Sequence, residues 1–459
     1  MKRLITLAAL LAAAPAFAQG NNERRLAERA LFERIVEIPT VAEQPQAFKQ
    51  LTDLLAAEFR RAGITNVVIK EHDGTSSLIA RWPASKPSGK KPILLMAHMD
   101  VVDANPADWK HPPFEFRAEG GYYLGRGTND NKAGLTGILL ALKYLRAENF
   151  APTRDIIILF TGDEETTGNA ARRAASEWRD LIDAEYALNS DAGGGAVYAD
   201  GRVDGYYMQI AEKTYADFKL TATNPGGHSS VPRPDNAIYA LAHALTAIER
   251  HRFAPMINDA TRAGYQLLAK GETGQLGALV QAFLANPADR VNADLLEAFD
   301  PGGTRTRCVA TQLSGGHAPN ALPQRAEANV NCRIFPGVTI EAVRQELQVL
   351  AGPDVTVAVE PKSTTPETVP SPVQQDIVDA YRAAVGVRFK DAPIIPFQSA
   401  GATDGAFLRA AGIPVYGFGG LWSRVGESYG IHGLDERVAA DGFHDSVPIW
   451  MEMLRRVAG

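Results

Sequence analysis

The chain has 459 residues, more than a single hydrophobic core usually serves, so two domains are expected. Its hydrophobic fraction of 45% and charged fraction of 22% are ordinary for a globular protein. The net charge of −6, without a stripe of lysine and arginine, argues against nucleic acid as a partner.

The first residues have the order of an export signal. Lys2 and Arg3 precede an apolar stretch at 4–14 that is too short to span a bilayer. Residues 16–18 form an A-x-A cleavage site, so residues 1–18 are predicted to be a signal peptide, and the protein periplasmic or secreted. A frayed N-terminal helix is the alternative. No later apolar run is long enough for a membrane helix, so no membrane partner is expected.

The next part of the chain alternates between helical and strand patterns. Helical spacing covers 23–61 with an interruption at 40–42, and the later elements are predicted as strands at 66–70, 77–80, 93–97, 156–160 and 186–189 and helices at 131–146 and 169–181. Strands that alternate with helices predict an α/β domain, with a mostly parallel sheet covered by helices on both faces.

A second pattern follows. The elements are a strand at 215–222, a helix at 235–251, strands at 305–313 and 325–335, a helix at 339–350 and a strand at 355–359. This β-α-β-β-α-β order is the ferredoxin-like α+β arrangement, and 252–303 is an insertion with helical periodicity. The α/β pattern then returns, through a helix at 374–385 to a last helical stretch at 436–457. We therefore predict a discontinuous domain, 19–213 with 362–459, and an inserted domain, 214–361.

Acidic and histidine side chains occur where these predicted strands end or helices begin. They are His98, Asp130, the pair Glu164-Glu165, Asp191 and His432. Parallel strands end at one edge of a sheet, so these side chains can converge there. Each has an ordinary alternative, such as a helix cap for Asp130, a charge pair at a helix start for the glutamates, or a loop residue for Asp191 and His432.

Together, two histidines and three carboxylates suit a pair of zinc-type ions with one carboxylate bridging them. Such a pair activates water and polarises a carbonyl group. Of the adjacent glutamates, one can bind metal while its neighbour takes a proton from the attacking water. Asp100, two residues after His98, can reach back to the second imidazole nitrogen and fix its tautomer.

These motifs resemble a known family of co-catalytic zinc peptidases, which includes aminoacylase, glutamate carboxypeptidase and carboxypeptidase S. The matching motifs are His98-Met99-Asp100, Gly125-Arg126-Gly127 through Asp130, Asp163-Glu164-Glu165, Ser190-Asp191, Gly227-His228-Ser229-Ser230 and His432-Gly433. The segments 109–115 and 227–232 look most like the carboxypeptidase S branch. The resemblance covers nearly the whole mature chain and implies that the inserted domain is a lid that also dimerises.

The resemblance also implies roles for the metal-site residues. Asp130 would bridge two Zn²⁺ ions (or other divalent ions such as Co²⁺ or Mn²⁺), with His98 and Asp191 on one, Glu165 and His432 on the other, Glu164 as general base and Asp100 beside His98. It further implies a cis peptide bond after Asp130.

Four residues outside the metal motifs match family positions near the substrate. His228 would steady the oxyanion from across a dimer interface, and a helix-capping or surface histidine in a Gly-rich loop is the alternative. Asn320 and Arg333 would hold substrate, with Arg333 on a terminal carboxylate, although a plain salt bridge is an alternative for it. Gly401 lies in Ala400-Gly401-Ala402-Thr403-Asp404, where relatives commonly have two glycines, and this departure puts backbone donation by the loop in doubt.

Cys308 and Cys332 fall on the two central strands predicted for the inserted domain. If these strands form a hairpin centred on Asn320, the two cysteines face each other. An exported protein can then form a cross-strand disulfide. Two buried free cysteines are the alternative.

The sequence therefore predicts an exported dinuclear zinc exopeptidase that cleaves an amide bond beside a free C-terminal carboxylate of a peptide, and the resemblance implies a homodimer through the inserted domain. The alternative within the same chemistry is an N-acyl-amino-acid deacylase, because the metal motif does not separate the two. A non-catalytic binding protein that keeps the fold is a third hypothesis, which the complete set of ligands and Glu164 argue against.

Overall fold

A computed structural model describes residues 22–271 and 274–459. The predicted signal peptide, 1–18, lies outside these residues. The chain divides into two compact units. The first contains the described chain up to Tyr206 together with Gln375–Ile394 and Gly417–Gly459, and the second contains Tyr207–Gln374 and Ile395–Tyr416. The predicted domain boundaries at 213 and 362 stay a prediction.

The helices and strands are as follows. The helices are α1 (22–36), α2 (Pro45–Arg61), α3 (Lys132–Ala147), α4 (Asn169–Ala175), α5 (Arg179–Ile182), α6 (Ala237–Arg250), α7 (Asp259–Gly271), α8 (Gln275–Ala285), α9 (Arg290–Leu296), α10 (Ile340–Ala351), α11 (Gln375–Gly386), α12 (Gly405–Ala410) and α13 (Ala440–Ala458), with a 3-10 turn at Pro106–Asp108. The strands are β1 (Asn66–His72), β2 (Thr75–Trp82), β3 (Ile93–His98), β4 (Arg117–Glu119), β5 (Tyr122–Leu124), β6 (Ile156–Thr161), β7 (Tyr186–Asn189), β8 (Gly194–Val197), β9 (Val203–Glu212), β10 (Thr214–Thr223), β11 (Gly227–His228), β12 (Arg307–Gly315), β13 (Ala321–Leu322), β14 (Arg325–Ile334), β15 (Val355–Thr364), β16 (Ile394–Ser399), β17 (Val415–Gly417), β18 (Trp422–Arg424) and β19 (Arg437–Ala439).

The first unit is built on a sheet in which five strands lie in the order β1-β2-β6-β3-β7. β3 pairs in parallel with β6 and with β7, and every residue of β3 and β6 is buried. Burial on both faces explains why these two strands are nearly continuous apolar runs. At one edge, β1 and β2 form an antiparallel hairpin whose turn, Asp73-Gly74, has positive φ at both residues. The predicted α/β fold is confirmed.

The second unit contains a four-stranded antiparallel sheet in the order β12-β14-β10-β15. Alternate residues of β14 are buried, and they form a core with α6 and α10 around Phe218, Val330 and Leu347. This confirms the ferredoxin-like arrangement. The insertion forms α7, α8 and α9, which enclose a small apolar cluster of their own around Phe283.

The cysteines of the second unit form a disulfide. Cys308 on β12 lies opposite Cys332 on β14 in the strand register, and the two sulfur atoms are bonded. The cross-strand disulfide is therefore confirmed, and the alternative of two free cysteines is wrong.

Two predicted helices differ from the structure. The helix predicted at 169–181 is two short helices, α4 and α5, because the chain turns at Ser176 and buries Trp178 between them. In the last predicted helical stretch, 437–439 form β19 before α13 begins, because these residues pair with β5. Among the described residues, no helix has the length and apolarity that crossing a membrane requires.

A buried hydrogen bond between Glu28 and His444 joins α1 and α13 within the first unit. Glu28 Oε2 lies 2.5 Å from His444 Nδ1, and Arg24 Nε donates to Glu28 Oε1 at 2.8 Å. Burial raises the pKa of Glu28, but the hydrogen bonds from His444 and Arg24 outweigh it, so the net pKa lies below its usual value of 4.5. Glu28 is therefore stabilised as a carboxylate.

We predict that Glu28→Gln lowers the free energy of unfolding at neutral pH by about 2–4 kcal/mol, because His444 and Arg24 lose their charged partner. A carboxyl group whose folded pKa is lowered contributes stability above its unfolded pKa and loses it as the pH falls through the folded value. The difference from the unaltered protein should therefore shrink below pH 4.5. Urea unfolding at several pH values measures this, and a difference that is independent of pH would contradict it.

Candidate metal centre

Three ligand-bearing turns leave the first unit's sheet at the same edge. His98 is paired with Thr161 at the ends of β3 and β6, and Met96 is paired with Asn189 at the end of β7. The pairing continues just beyond the strands, since Ser190 N donates to Met96 O at 2.9 Å. The sheet register therefore brings His98, the turn at 162–165 and Asp191 to one place, as expected for parallel strands.

The five predicted metal ligands converge there. Asp130 lies between the two histidines, with His98 Nε2 2.9 Å from its Oδ1 and His432 Nε2 3.2 Å from its Oδ2. His98 Nε2 is also 3.3 Å from Asp191 Oδ1, and His432 Nε2 is 3.0 Å from Glu165 Oε1. The side chains thus form two sets of three that share Asp130, and the potential ligand atoms of each set lie within 4.8 Å of one another.

Glu164 lies beside this cluster. One ligand-type atom each of His98, Glu164 and Glu165 lies within 4.8 Å of the other two. The carboxylate of Asp100 accepts the backbone N–H of Glu164 at 3.2 Å and that of Glu165 at 2.9 Å. Asp100 therefore holds the backbone of both glutamates at the edge of the cluster.

The structure shows a different contact between Asp100 and His98 from the one expected. The group nearest to His98 Nδ1 is the backbone carbonyl oxygen of Asp100, at 3.0 Å, whereas its carboxylate oxygen is 3.6 Å away. A carbonyl oxygen only accepts, so Nδ1 donates its hydrogen to it, and Nε2 is the nitrogen that faces Asp130 and Asp191. The tautomer that a metal ligand needs is thus set by the main chain.

Electrostatics at the cluster are those of a site for cations. Burial raises the pKa of Asp191 to about 6, although His98 opposes this. Burial also raises the pKa of Asp130, but the hydrogen bonds from His432 and His98 outweigh it and lower the net value. Hydrogen bonds to Asp130 and Glu165 raise the pKa of His432 to about 10. Several carboxylates that are buried close together favour the binding of cations. Two imidazoles with three carboxylates are a donor set that fits zinc-type ions.

The segment that carries His432 has an unusual backbone. His432 has a φ of 57°, in the left-handed region that few residues other than glycine adopt. Gly430, two residues earlier, is required because a Cβ there would lie 2.5 Å from the carbonyl oxygen of Leu434. Across the site, the peptide bond between Asp130 and Asn131 is cis, as the family resemblance implied.

The sequence analysis assigned no role to three residues that support the cluster, although two of them, Arg126 and Asp163, lie within the matching motifs. Asp163 accepts the N–H groups of Asn169 at 2.9 Å and Ala170 at 3.0 Å, which fixes the turn carrying the glutamates at the start of α4. Arg126 lies in the loop at 125–131 that carries Asp130, called here the Asp130 loop, and this buried arginine donates to the buried Glu436 at 2.8 Å. Asp163 could have been found from its position before a helix, whereas the sequence carries no pattern that links Arg126 to Glu436.

The predicted substrate residues all belong to the second unit. His228 and Asn320 lie together, because β11 pairs with β13 and Ser229 N donates to Asn320 O at 3.1 Å. The guanidinium of Arg333 lies 4.6 Å from the centre of the Tyr215 ring. Gly401 N donates to Ser399 Oγ at 3.0 Å, so this N–H already has a partner within the chain.

Comparison with known proteins establishes the family. The sequence model of peptidase family M20/M25/M40 matches residues 94–456 of this chain. The chain belongs to this family. It is therefore a hydrolase of a metal-dependent family, and the resemblance read from its motifs is confirmed. The cluster around Asp130 is the candidate metal centre.

The names of two relatives of the chain state different activities. It is 28% identical over 445 residues to N-fatty-acyl-amino acid synthase/hydrolase PM20D1.1 of Danio rerio, covering 92% of this chain and 84% of that protein. It is 28% identical over 393 residues to probable carboxypeptidase S-like 1 of Dictyostelium discoideum, covering 82% and 75%. The M20 family metallo-carboxypeptidase Sso-CP2 from Sulfolobus solfataricus has the same fold, with a TM-score of 0.69, 18% identity and coverage of 93% and 98%.

Proposed function

We propose that this protein is a dinuclear zinc hydrolase that cleaves an amide bond next to a free C-terminal carboxylate. The observation that carries the proposal is the position of Asp130 between His98 and His432, each of which has one further carboxylate beside it. His98 and Asp191 would hold one ion, Glu165 and His432 the other, and Asp130 both. The same ligands also accept Co²⁺ or Mn²⁺.

When bound, the two ions would acidify a water molecule and polarise the scissile carbonyl group. Glu164 takes the proton of the attacking water and passes it to the leaving amine, as a general base and then a general acid. Asp100 keeps Glu164 in reach by binding its backbone N–H. The chain thus supplies separate carboxylates for binding the ions and for moving the proton.

His228 is suited to stabilise the oxyanion. Its Nδ1 accepts the backbone N–H of Ser230 at 3.2 Å, so the hydrogen of the neutral ring is on Nε2, which is then a donor. A donor aimed at a developing oxyanion stabilises the transition state more than the substrate. Arg333 would bind the substrate carboxylate through two parallel hydrogen bonds, with Asn320 and the Gly401 loop as further substrate contacts.

A pair of variants separates the base from the bridge. Glu164→Gln should lower kcat by about 10²–10⁴-fold, because the proton acceptor is lost, while the protein keeps its metal. Asp130→Ala should lose metal as well, because both ion sites share that carboxylate. Kinetics together with elemental analysis of the purified variants measures both. Undiminished turnover by Glu164→Gln would refute its role, and full metal content in Asp130→Ala would refute the bridge.

Two kinds of acyl group are candidates for the part of the substrate on the carbonyl side of the cleaved amide bond. A peptide substrate fits the carboxypeptidase S-like relative, and an N-acyl amino acid fits the name of the Danio rerio relative. Both substrates end in a free carboxylate beside the cleaved amide, so Arg333 can serve either. We favour the peptide because the motifs at 109–115 and 227–232 look most like those of the carboxypeptidase S branch.

A substrate panel decides between the two. We expect the zinc-loaded protein to release C-terminal amino acids from dipeptides and longer peptides with a higher kcat/KM than from N-acyl amino acids. C-terminally amidated versions of the same substrates should react poorly, because they lack the carboxylate. Preferred cleavage of N-acyl amino acids would establish the deacylase instead. Equal cleavage of amidated substrates would contradict recognition of the carboxylate.

We also propose that the protein is exported, on the basis of its N-terminal sequence. The disulfide between Cys308 and Cys332 supports an oxidising compartment, since cytosolic thiols are kept reduced. N-terminal sequencing of protein recovered outside the cytoplasm should begin at Gln19. A product that retains Met1 would argue against export.

A homodimer through the second unit completes the proposal. β12 is the last strand of its sheet and is exposed along most of its length, with Leu313 71% and Val309 60% accessible. An exposed apolar edge strand has unpaired backbone groups that can form hydrogen bonds with a strand of another chain. The unaltered protein should sediment as a dimer, and Leu313→Glu should shift its sedimentation coefficient to that of a monomer. If the unaltered protein already sediments as a monomer, the proposal is refuted.

A further inference from the structure

We infer that Glu436 is a positioning residue that locks the Asp130 loop against the His432 segment and thereby sets the metal affinity of the site. The inference rests on the proposed metal centre. Glu436 is nearly inaccessible, with 1% of its side chain exposed, and its partner Arg126 has 3% exposed. A buried carboxylate needs hydrogen bonds for its oxygens, and the identity of its donors shows what it holds.

The donors to Glu436 come from the Asp130 loop. Its Oε1 accepts the backbone N–H groups of Asn129 at 2.8 Å and Asp130 at 3.0 Å. Its Oε2 accepts Gly127 N at 2.9 Å and Arg126 Nη1 at 2.8 Å. A carboxylate offers about four acceptor positions, and donors of the chain fill all of them. Glu436 is thus neither a metal ligand nor a proton carrier, and it acts on the site only through the loop.

The same contacts tie this loop to the segment after His432. Gly125 N donates to Glu436 O at 3.0 Å, and Asn129 Nδ2 donates to Arg437 O at 3.1 Å. Arg126 Nη2 donates to Gly433 O at 2.9 Å, directly after His432. One set of hydrogen bonds therefore fixes the main chain on both sides of the Asp130–His432 contact.

The distance between Asp130 and His432 would set the affinity of the site for the second ion. Asp130 and His432 belong to the same set of three potential ligands, with Glu165. A metal site loses affinity when its ligands drift, and changing a residue that orients ligands commonly costs about 10–100-fold in metal affinity. Glu436 acts at the backbone N–H of Asp130 itself, so its loss displaces the ligand shared by both ions.

The test compares Glu436→Gln with a matched control, Glu28→Gln. Glutamine keeps the size of Glu436 but replaces one carboxylate oxygen with an amide N–H₂ that cannot accept, so two of the four hydrogen bonds are lost. Glu28 is an equally buried carboxylate of the same unit, paired with His444 and Arg24. Each zinc-loaded full-length protein is titrated with a chelator, the retained zinc is measured by elemental analysis, and the melting temperature is recorded alongside.

We expect Glu436→Gln to release zinc at a chelator activity about 10–100-fold lower than the unaltered protein, while Glu28→Gln matches the unaltered protein despite its lower melting temperature. Saturating zinc should restore much of the kcat of Glu436→Gln. Zinc release by Glu436→Gln within about twofold of Glu28→Gln would overturn the inference. If the unaltered protein binds no zinc, the proposed function itself fails, which is a separate outcome.

A second variant serves if Glu436→Gln does not fold. Arg126→Met removes the bonds to Glu436 and Gly433 but leaves the backbone N–H groups of the loop on the carboxylate. We expect a smaller increase in zinc release than for Glu436→Gln. Unchanged zinc release in Arg126→Met would contradict the locking of the two segments.

Discussion

Three carboxylates, those of Asp130, Glu165 and Asp191, meet at one largely buried sheet edge, and positive charge must accompany them. Several negative charges taken out of water together are costly unless cations or hydrogen-bond donors neutralise them. His98 and His432 lie against these carboxylates, and their pKa values are raised accordingly. A pair of divalent cations would supply the same neutralisation and leave both imidazoles as neutral ligands. The remainder of the first unit keeps these five side chains at one place.

Other carboxylates of the first unit support the site by binding backbone N–H groups next to it. Asp100 binds the N–H groups of Glu164 and Glu165, Asp163 binds those that begin α4, and Glu436 binds those of the Asp130 loop. In each case an acidic side chain binds backbone N–H groups of a turn that carries, or borders, a proposed ligand. The ligands sit on turns, which are otherwise the most mobile parts of a fold. Carboxylate–amide hydrogen bonds hold those turns in place.

The second unit carries a different part of the proposed chemistry. His228 and Asn320 are brought together by the short β11–β13 pair, and Arg333 lies on β14, where the disulfide at Cys332 ties it to β12. These residues offer donors and one positive charge, which suit an oxyanion and a carboxylate. The first unit thus carries the candidate catalytic metal centre, and the second carries the groups proposed to select the substrate. The acyl side of the substrate depends on cavity shape, which metal motifs do not determine.

The sequence alone determined the two alternating patterns and the inserted ferredoxin-like unit, and with the family resemblance it predicted the five side chains of the candidate metal centre. It could do so because β3, β6 and β7 are continuous apolar runs, and parallel strands end at a common edge whatever the rest of the chain does. It also indicated the pairing of the cysteines, since a hairpin fixes its register locally, although it left free thiols equally open. Only the tertiary structure decided which atoms support the ligands. The Asp130 backbone N–H and the Glu436 carboxylate that binds it are 306 residues apart, and no local periodicity links positions so distant. His98 is oriented by the carbonyl oxygen of Asp100 and not by its carboxylate. The two oxygens differ by under 1 Å in their distance from His98 Nδ1, and the backbone turn decides which is nearer. Side-chain type and spacing predict which groups can reach a site, whereas the hydrogen-bond partner of each atom is selected by packing.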